Sequence, residues 1–300
     1  MDTLQQEIMA LKEQRKAVIL AHNYQRPEVQ DLADFVGDSL ELARMAQQTA
    51  AENIIFCGVH FMAESAAILN PERTVVLAER EAGCPMADMV DAESLRRFKQ
   101  EHPGVPVVTY VNSSAEVKAE SDICCTSANA VRIVESVEAA EVIFTPDANL
   151  ADYVARSTSK KIIPWRGFCV THLRAKASDV AAARRAHPGA VVVAHPECRP
   201  EVVQAADHVA STTGMLRIVT ESPAKEFIVG TEMGLLYRME QTCPEKRFFL
   251  LHGGMICPNM KLTTAPSVLR ALRDLEPRIT VEEETAQLAR RALSRMLKAG

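Results

Sequence analysis

Three cysteines, Cys84, Cys169 and Cys257, close three stretches of matched spacing. The separation from His22 to Cys84 equals that from His195 to Cys257, and the separation from Tyr110 to Cys169 is only slightly shorter. Inside the stretches the agreement continues. Ser39, Ser127 and Thr212 stand at one identical offset from His22, Tyr110 and His195, and Gly58, Pro146 and Thr231 stand at a second identical offset beyond them. Such offsets, met three times, mark an internal repeat of about 85 residues. A thiolate is a soft ligand suited to iron–sulfur clusters, copper(I) or zinc. Three equivalent thiolates meeting on one axis can hold three corners of a cubane. The fourth iron then lacks a protein ligand and can act as a Lewis acid toward a substrate oxygen. A zinc site that adds His172 through Cys169-x-x-His172 is the alternative ligand set.

The other cysteines, Cys57, Cys124, Cys125, Cys198 (beside Glu197) and Cys243, sit at non-equivalent positions and read as structural. No C-x-x-C pair occurs, so a zinc ribbon or thioredoxin-type motif is not indicated.

A ring of groups able to bond or move protons stands at the ends of the apolar runs: His22, Asn23, Tyr24, Tyr110, Asn112, His195 and Glu197. Asp38-Ser39, Thr126-Ser127 and Ser211-Thr212-Thr213-Gly214 then precede helical runs. These hydroxyls serve as N-caps, and helix N-termini also attract anions, which suits a substrate bearing carboxylates or phosphate.

The elements that must position these groups alternate. Residues 17–21, 53–57 and 74–78 read as buried strands, as do 105–109 and 190–194; 28–35, 39–50 and 61–69 read as helices. Continuous apolar strands between helices imply parallel sheets covered on both faces. The fold class is therefore α/β: three pseudo-threefold-related α/β/α units, each with a small parallel sheet of roughly three strands, around a central active site. The units are expected at 1–88, 89–173 and 174–261, with helices over 262–300, including an amphipathic run at 281–298, packing on the first.

The formal net charge of −5, without a basic arm, argues against a nucleic-acid partner. The start of the chain lacks a signal peptide's basic and apolar regions, and no apolar stretch is long enough for a bilayer, so no membrane partner is expected and the expected location is cytoplasmic.

With these residues in view, the sequence resembles the quinolinate synthase family. The resemblance is carried by Ile19 to Gln25, Asp34 to Leu40, Gly58 to Glu64, Cys84-Pro85-Met86-Ala87 and Tyr110-Val111-Asn112-Ser113. It continues through Thr126 to Ala130, His195-Pro196-Glu197-Cys198, Ser211-Thr212 and Asn259-Met260-Lys261. It implies a [4Fe-4S] cluster on Cys84, Cys169 and Cys257. It also implies condensation of iminoaspartate with dihydroxyacetone phosphate to quinolinate, phosphate and water in NAD biosynthesis, with a functional link to an aspartate-oxidising enzyme. The implied substrate-binding residues are His22, Ser39, Tyr110, Val111, Asn112, Ser127, His195, Pro196, Glu197, Ser211 and Thr212, with His172 touching an anionic group. Tyr24, Tyr110, His195 and Glu197 would be catalytic, with proton transfer assigned to Tyr24 and Glu197. Two departures stand out. Leu251 and Gly254 occupy places where some members carry further cysteines in a C-x-x-C-x-x-C pattern, which excludes disulfide control there; and Thr171 precedes His172 where Val is more usual.

Two other readings remain open on the residues alone. One is a non-catalytic iron–sulfur redox sensor or carrier, which predicts a fourth ligand. The other is a zinc hydrolase using the three cysteines and a water.

Overall fold

The computed structural model describes residues 3–299. The first unit runs α1 (Thr3–Gln14), β1 (Ala17–His22), α2 (Pro27–Leu32), β2 (Phe35–Gly37), α3 (Ser39–Gln48), β3 (Asn53–Cys57), α4 (His60–Leu69) and β4 (Thr74–Leu77). The second runs α5 (Ala92–Glu101), β5 (Val107–Tyr110), α6 (Ala115–Ala119), β6 (Ile123–Cys125), α7 (Ala130–Ser136), β7 (Glu141–Thr145), α8 (Ala148–Ala155) and β8 (Lys161–Pro164). The third runs α9 (Ala177–Ala186), β9 (Val191–Ala194), α10 (Pro200–Ala205), β10 (His208–Val209), α11 (Thr212–Glu221), β11 (Glu226–Gly230), α12 (Gly234–Thr242) and β12 (Arg247–Leu250). Two helices follow, α13 (Ala265–Asp274) and α14 (Glu283–Ala299).

Each unit builds one four-stranded parallel sheet, in the orders β2-β1-β3-β4, β6-β5-β7-β8 and β10-β9-β11-β12. The first strand of each unit is thus central and its second lies at an edge. Central strands are apolar along their length because helices cover both faces. Val107 to Tyr110, for example, are all buried, whereas β8 at an edge is half-exposed and ends in Pro164.

The structure corrects three expectations. The sheets have four strands rather than three, because β2, β6 and β10 are too short to leave a periodic trace. The helix expected over 28–35 ends at Leu32, and Phe35 already pairs with Leu20 in the sheet. The C-terminal helices also part company. Val268 and Leu272 of α13 share a core with Ile8 and Ile19 of the first unit. Helix α14 instead bridges two units: Arg290 donates to Ile68 O at 2.6 Å and Arg295 to Asp122 O at 2.8 Å. Its apolar face (Ala289, Leu293, Met296) lies in a core shared with Leu69 and Ile123.

A threefold device underlies the missed edge strands. Asp34, Asp122 and Asp207 stand at one identical offset from His22, Tyr110 and His195. Each carboxylate accepts an upstream amide of its own central strand (Ile19, Val107, Val192) at 2.8 Å. The aspartate fixes the turn into the edge strand and so sets where the following helix begins. Among the described residues no helix is long and apolar enough to cross a membrane.

Candidate active site

The C-terminal ends of the three sheets face one cavity, the usual location for ligands in parallel α/β sheets. Its wall includes His22, Tyr24, Ser39, Cys84, Tyr110, Asn112, Ser127, Cys169, His172, His195, Glu197, Thr212 and Cys257. Alternation along an extended chain decides which strand-end residues arrive there. His22 and Tyr24 reach the wall while Asn23 turns away to donate to Thr212 Oγ1 at 2.9 Å. Tyr110 and Asn112 reach it but Val111 does not, and His195 and Glu197 reach it but Pro196 does not. Ser211 also stands back: it caps α11 through Gly214 N and contacts Asp38 Oδ2 at 3.4 Å. Val111, Pro196 and Ser211 therefore support the wall rather than form it.

Among the described residues, the three cysteines that face the cavity are partly exposed, whereas the other five are buried. Each opens the same turn. The amide four positions on (Asp88, Leu173, Lys261) bonds the cysteine carbonyl. The backbone amide three positions on (Ala87, His172, Met260) favours the thiolate. Burial works the other way, pushing Cys84 up to about 12 and raising Cys169 and Cys257. Ionising three such thiols together requires a compensating cation in the cavity, as metal binding supplies. Three soft donors on one cavity suit a metal centre. Cys198 instead bonds Gly230 O in the core, and Cys57, Cys124, Cys125 and Cys243 are buried.

A second donor set lies close by. One ligand atom each from Cys169, His172 and Glu197 fall within 4.8 Å of one another. They already bond among themselves: His172 Nδ1 lies 2.8 Å from Glu197 Oε2 and 3.1 Å from Cys169 Sγ.

A hydrogen-bond chain crosses all three units. Tyr24 Oη lies 2.6 Å from Thr231 Oγ1, which lies 2.9 Å from His172 Nε2. His172 Nδ1 donates to Glu197 Oε2, and Tyr110 Oη donates to Glu197 Oε1 at 2.5 Å. Because a carboxylate only accepts, Nδ1 of His172 carries a proton. In the neutral ring Nε2 then accepts from Thr231, whose oxygen accepts from Tyr24. The donors thus point one way, from Tyr24 to Glu197. Thr231 is the member to which the sequence assigned no role, although its offset from Thr212 belongs to the repeat.

The two strand-end histidines have fixed tautomers. Nδ1 of His22 accepts the Tyr24 amide at 3.1 Å, and Nδ1 of His195 accepts the Glu197 amide at 3.4 Å. Both rings therefore carry the proton on Nε2, and His195 Nε2 lies 3.2 Å from Ser127 Oγ. Burial lowers both from 6.5 to about 3 despite the opposing pull of Glu197, so they act as neutral donors. Glu197 is itself buried, yet His172 and the hydrogen bond from Tyr110 hold it below the usual carboxylate range. Burial and the nearby Glu197 charge keep Tyr24 and Tyr110 protonated, their values raised well above 10.0.

Around these groups stand Ser39 at the first turn of α3, Thr212 at that of α11, and Ser127 ahead of α7. Asn112 Oδ1 is buried without a partner. The cavity thus offers neutral N–H and O–H donors to an anion, the ionised Glu197 and two protonated phenols, with the carboxyl groups of Asp38 and Glu232 also on its wall.

A family model described as quinolinate synthetase A protein matches residues 6–298. Quinolinate synthase of Methanoregula boonei is 59% identical over 98% of this chain and 97% of its own length. That of Thermodesulfovibrio yellowstonii is 57% identical over 97% of both chains, and that of Geobacter sp. strain M21 is 56% identical over 99% of this chain and 97% of its own.

Proposed function

The chain belongs to the quinolinate synthase family, and from that premise we propose that it condenses iminoaspartate with dihydroxyacetone phosphate to give quinolinate, phosphate and water in NAD biosynthesis. Iminoaspartate is an oxidised aspartate, so an aspartate-oxidising enzyme would supply it. The observation that carries the proposal is the single cavity that combines three equivalent thiols with an ionised Glu197 and two protonated tyrosines.

Cys84, Cys169 and Cys257 would hold a [4Fe-4S] cluster, which supplies Lewis acidity for a departing hydroxyl when bound. The chain's own groups account for the rest. His22 and His195 present Nε2–H donors, and Ser39, Ser127 and Thr212 present hydroxyls, to the substrate carboxylates. Neutral donors hold dianionic substrates without adding a counter-charge that must be expelled with product. Asn112 offers an amide whose oxygen awaits a donor.

The isomerisation step moves a proton between adjacent carbons, a task for a positioned carboxylate. Glu197 is ionised and confined by Tyr110 and His172. Because a carboxylate held this low is a weak base, the acceptor is the hydrogen-bonded Glu197–His172 pair. Tyr24, protonated and linked to that pair through Thr231, returns a proton to a leaving hydroxyl.

The Cys169–His172–Glu197 group favours a second reading, a single zinc ion. One preparation decides between them. Anaerobically purified protein should be brown, contain iron and sulfide in equal amounts, and form quinolinate from the two substrates. Zinc without sulfide, or no quinolinate from a fully loaded enzyme, would overturn the proposal.

A further inference from the structure

The loops that carry the three cysteines are not held alike. In the second unit Asp147, fully buried, accepts the Cys169 amide on Oδ2 at 3.1 Å and caps α8 by accepting Leu150 N on Oδ1 at 2.7 Å. In the third unit Glu232, also fully buried, accepts the Cys257 amide on Oε1 at 3.1 Å. Its Oε2 accepts Gly234 N at 2.7 Å and Lys261 Nζ at 3.0 Å. These are equivalent positions, since Asp147 is as far beyond Ser127 as Glu232 is beyond Thr212. The same count from Ser39 reaches Val59. At this place the first unit has no carboxylate with which to hold Cys84.

A separate observation points the same way. Gly83, Cys84 and Phe61 line the central cavity and also an outer pocket that contains Arg80 and Asp88. The Cys84 loop is thus a thin wall with space on both sides, and a Cβ on Gly83 would meet nothing within 4 Å.

We infer that Asp147 and Glu232 are paired positioning residues that hold the Cys169 and Cys257 arms of the metal centre, and that Cys84 is the arm released first when the centre is lost. This rests on the reading that the three cysteines hold one iron–sulfur cluster. A buried carboxylate that accepts a backbone N–H fixes the loop and hence the sulfur, as outer partners of metal ligands do.

The test uses the full-length, anaerobically reconstituted protein. The cluster is stripped slowly with chelator and limiting oxidant in the presence of iodoacetamide, and labelled cysteines are mapped by mass spectrometry. In the wild-type protein Cys84 should be labelled first, with Cys169 and Cys257 later. Asp147→Asn retains an oxygen for the α8 cap but turns an amide toward the Cys169 N–H. In that variant Cys169 should be labelled as early as Cys84, and iron should be lost roughly tenfold faster. Simultaneous labelling of all three wild-type cysteines, or Cys169 first, would overturn the inference, as would wild-type labelling order and iron loss in Asp147→Asn. A wild-type protein that takes up no iron and sulfide would remove the cluster reading itself and the inference with it, an outcome distinct from the others.

Discussion

The Tyr110 hydroxyl, at the end of the second sheet, donates a 2.5 Å hydrogen bond to Glu197 Oε1, at the end of the third. On its other oxygen Glu197 takes the His172 Nδ1 proton at 2.8 Å. The carboxylate is therefore fixed in orientation as well as in charge. Glu197→Gln preserves size but removes the proton acceptor. Turnover to quinolinate should fall by roughly a hundredfold or more while the metal content stays at the wild-type level. Near-normal turnover would exclude Glu197 from the proton path.

Cys84→Ser, Cys169→Ser and Cys257→Ser should each lose the visible absorbance of the metal centre and the activity. Cys243→Ser should keep both, because Cys243 packs in a separate core with Met215 and Phe227. Full iron content in Cys169→Ser would refute the assignment.

Much of this architecture is legible in the sequence because the repeat imposes one geometry three times. The offsets from His22, Tyr110 and His195 locate the cavity wall, and strand alternation tells wall from support once the backbone is seen. The short edge strands are not legible, since so few residues carry no period. Their signal is the matched aspartate at Asp34, Asp122 and Asp207, each bonding a backbone amide of its own central strand. The Tyr24–Thr231–His172 chain is not legible either, because its members come from three units and meet only in space. If the aspartates are equivalent in effect, Asp34→Ala, Asp122→Ala and Asp207→Ala should each destabilise the protein by about 1–3 kcal/mol. Denaturant unfolding would read this, and an unchanged midpoint in any one would break the equivalence.

The buried histidines give stability a pH dependence of definite sign. Folding lowers His22 and His195 from 6.5 to about 3, mainly through burial. Unfolding exposes both rings, so between these values the unfolded chain binds more protons than the folded one. Their contribution is complete above about 6.5 and is lost as the pH falls toward 3. In this window stability should rise with pH by up to about 1.4 kcal/mol per unit for each ring. Urea unfolding of the metal-free protein between about pH 7 and pH 5 should show this slope, and His195→Gln should make it shallower. A wild-type slope of zero would contradict the burial of neutral rings.

Thr231 offers the sharpest test of the chain that joins the phenol to the carboxylate. It is fully buried, and its single side-chain oxygen lies 2.6 Å from Tyr24 Oη and 2.9 Å from His172 Nε2. Valine has nearly the same shape and lacks that oxygen, so Thr231→Val leaves the packing intact. It also deprives Tyr24 and His172 of the oxygen that links them. If Tyr24 acts through Thr231, turnover should fall by roughly tenfold to a hundredfold. Substrate affinity should change far less, because Thr231 does not stand on the cavity wall. Thr231→Ser restores the hydroxyl and should recover most of the rate. If valine and serine variants turn over alike, the oxygen is not part of the proton path, and Tyr24 must exchange its proton directly with substrate or solvent.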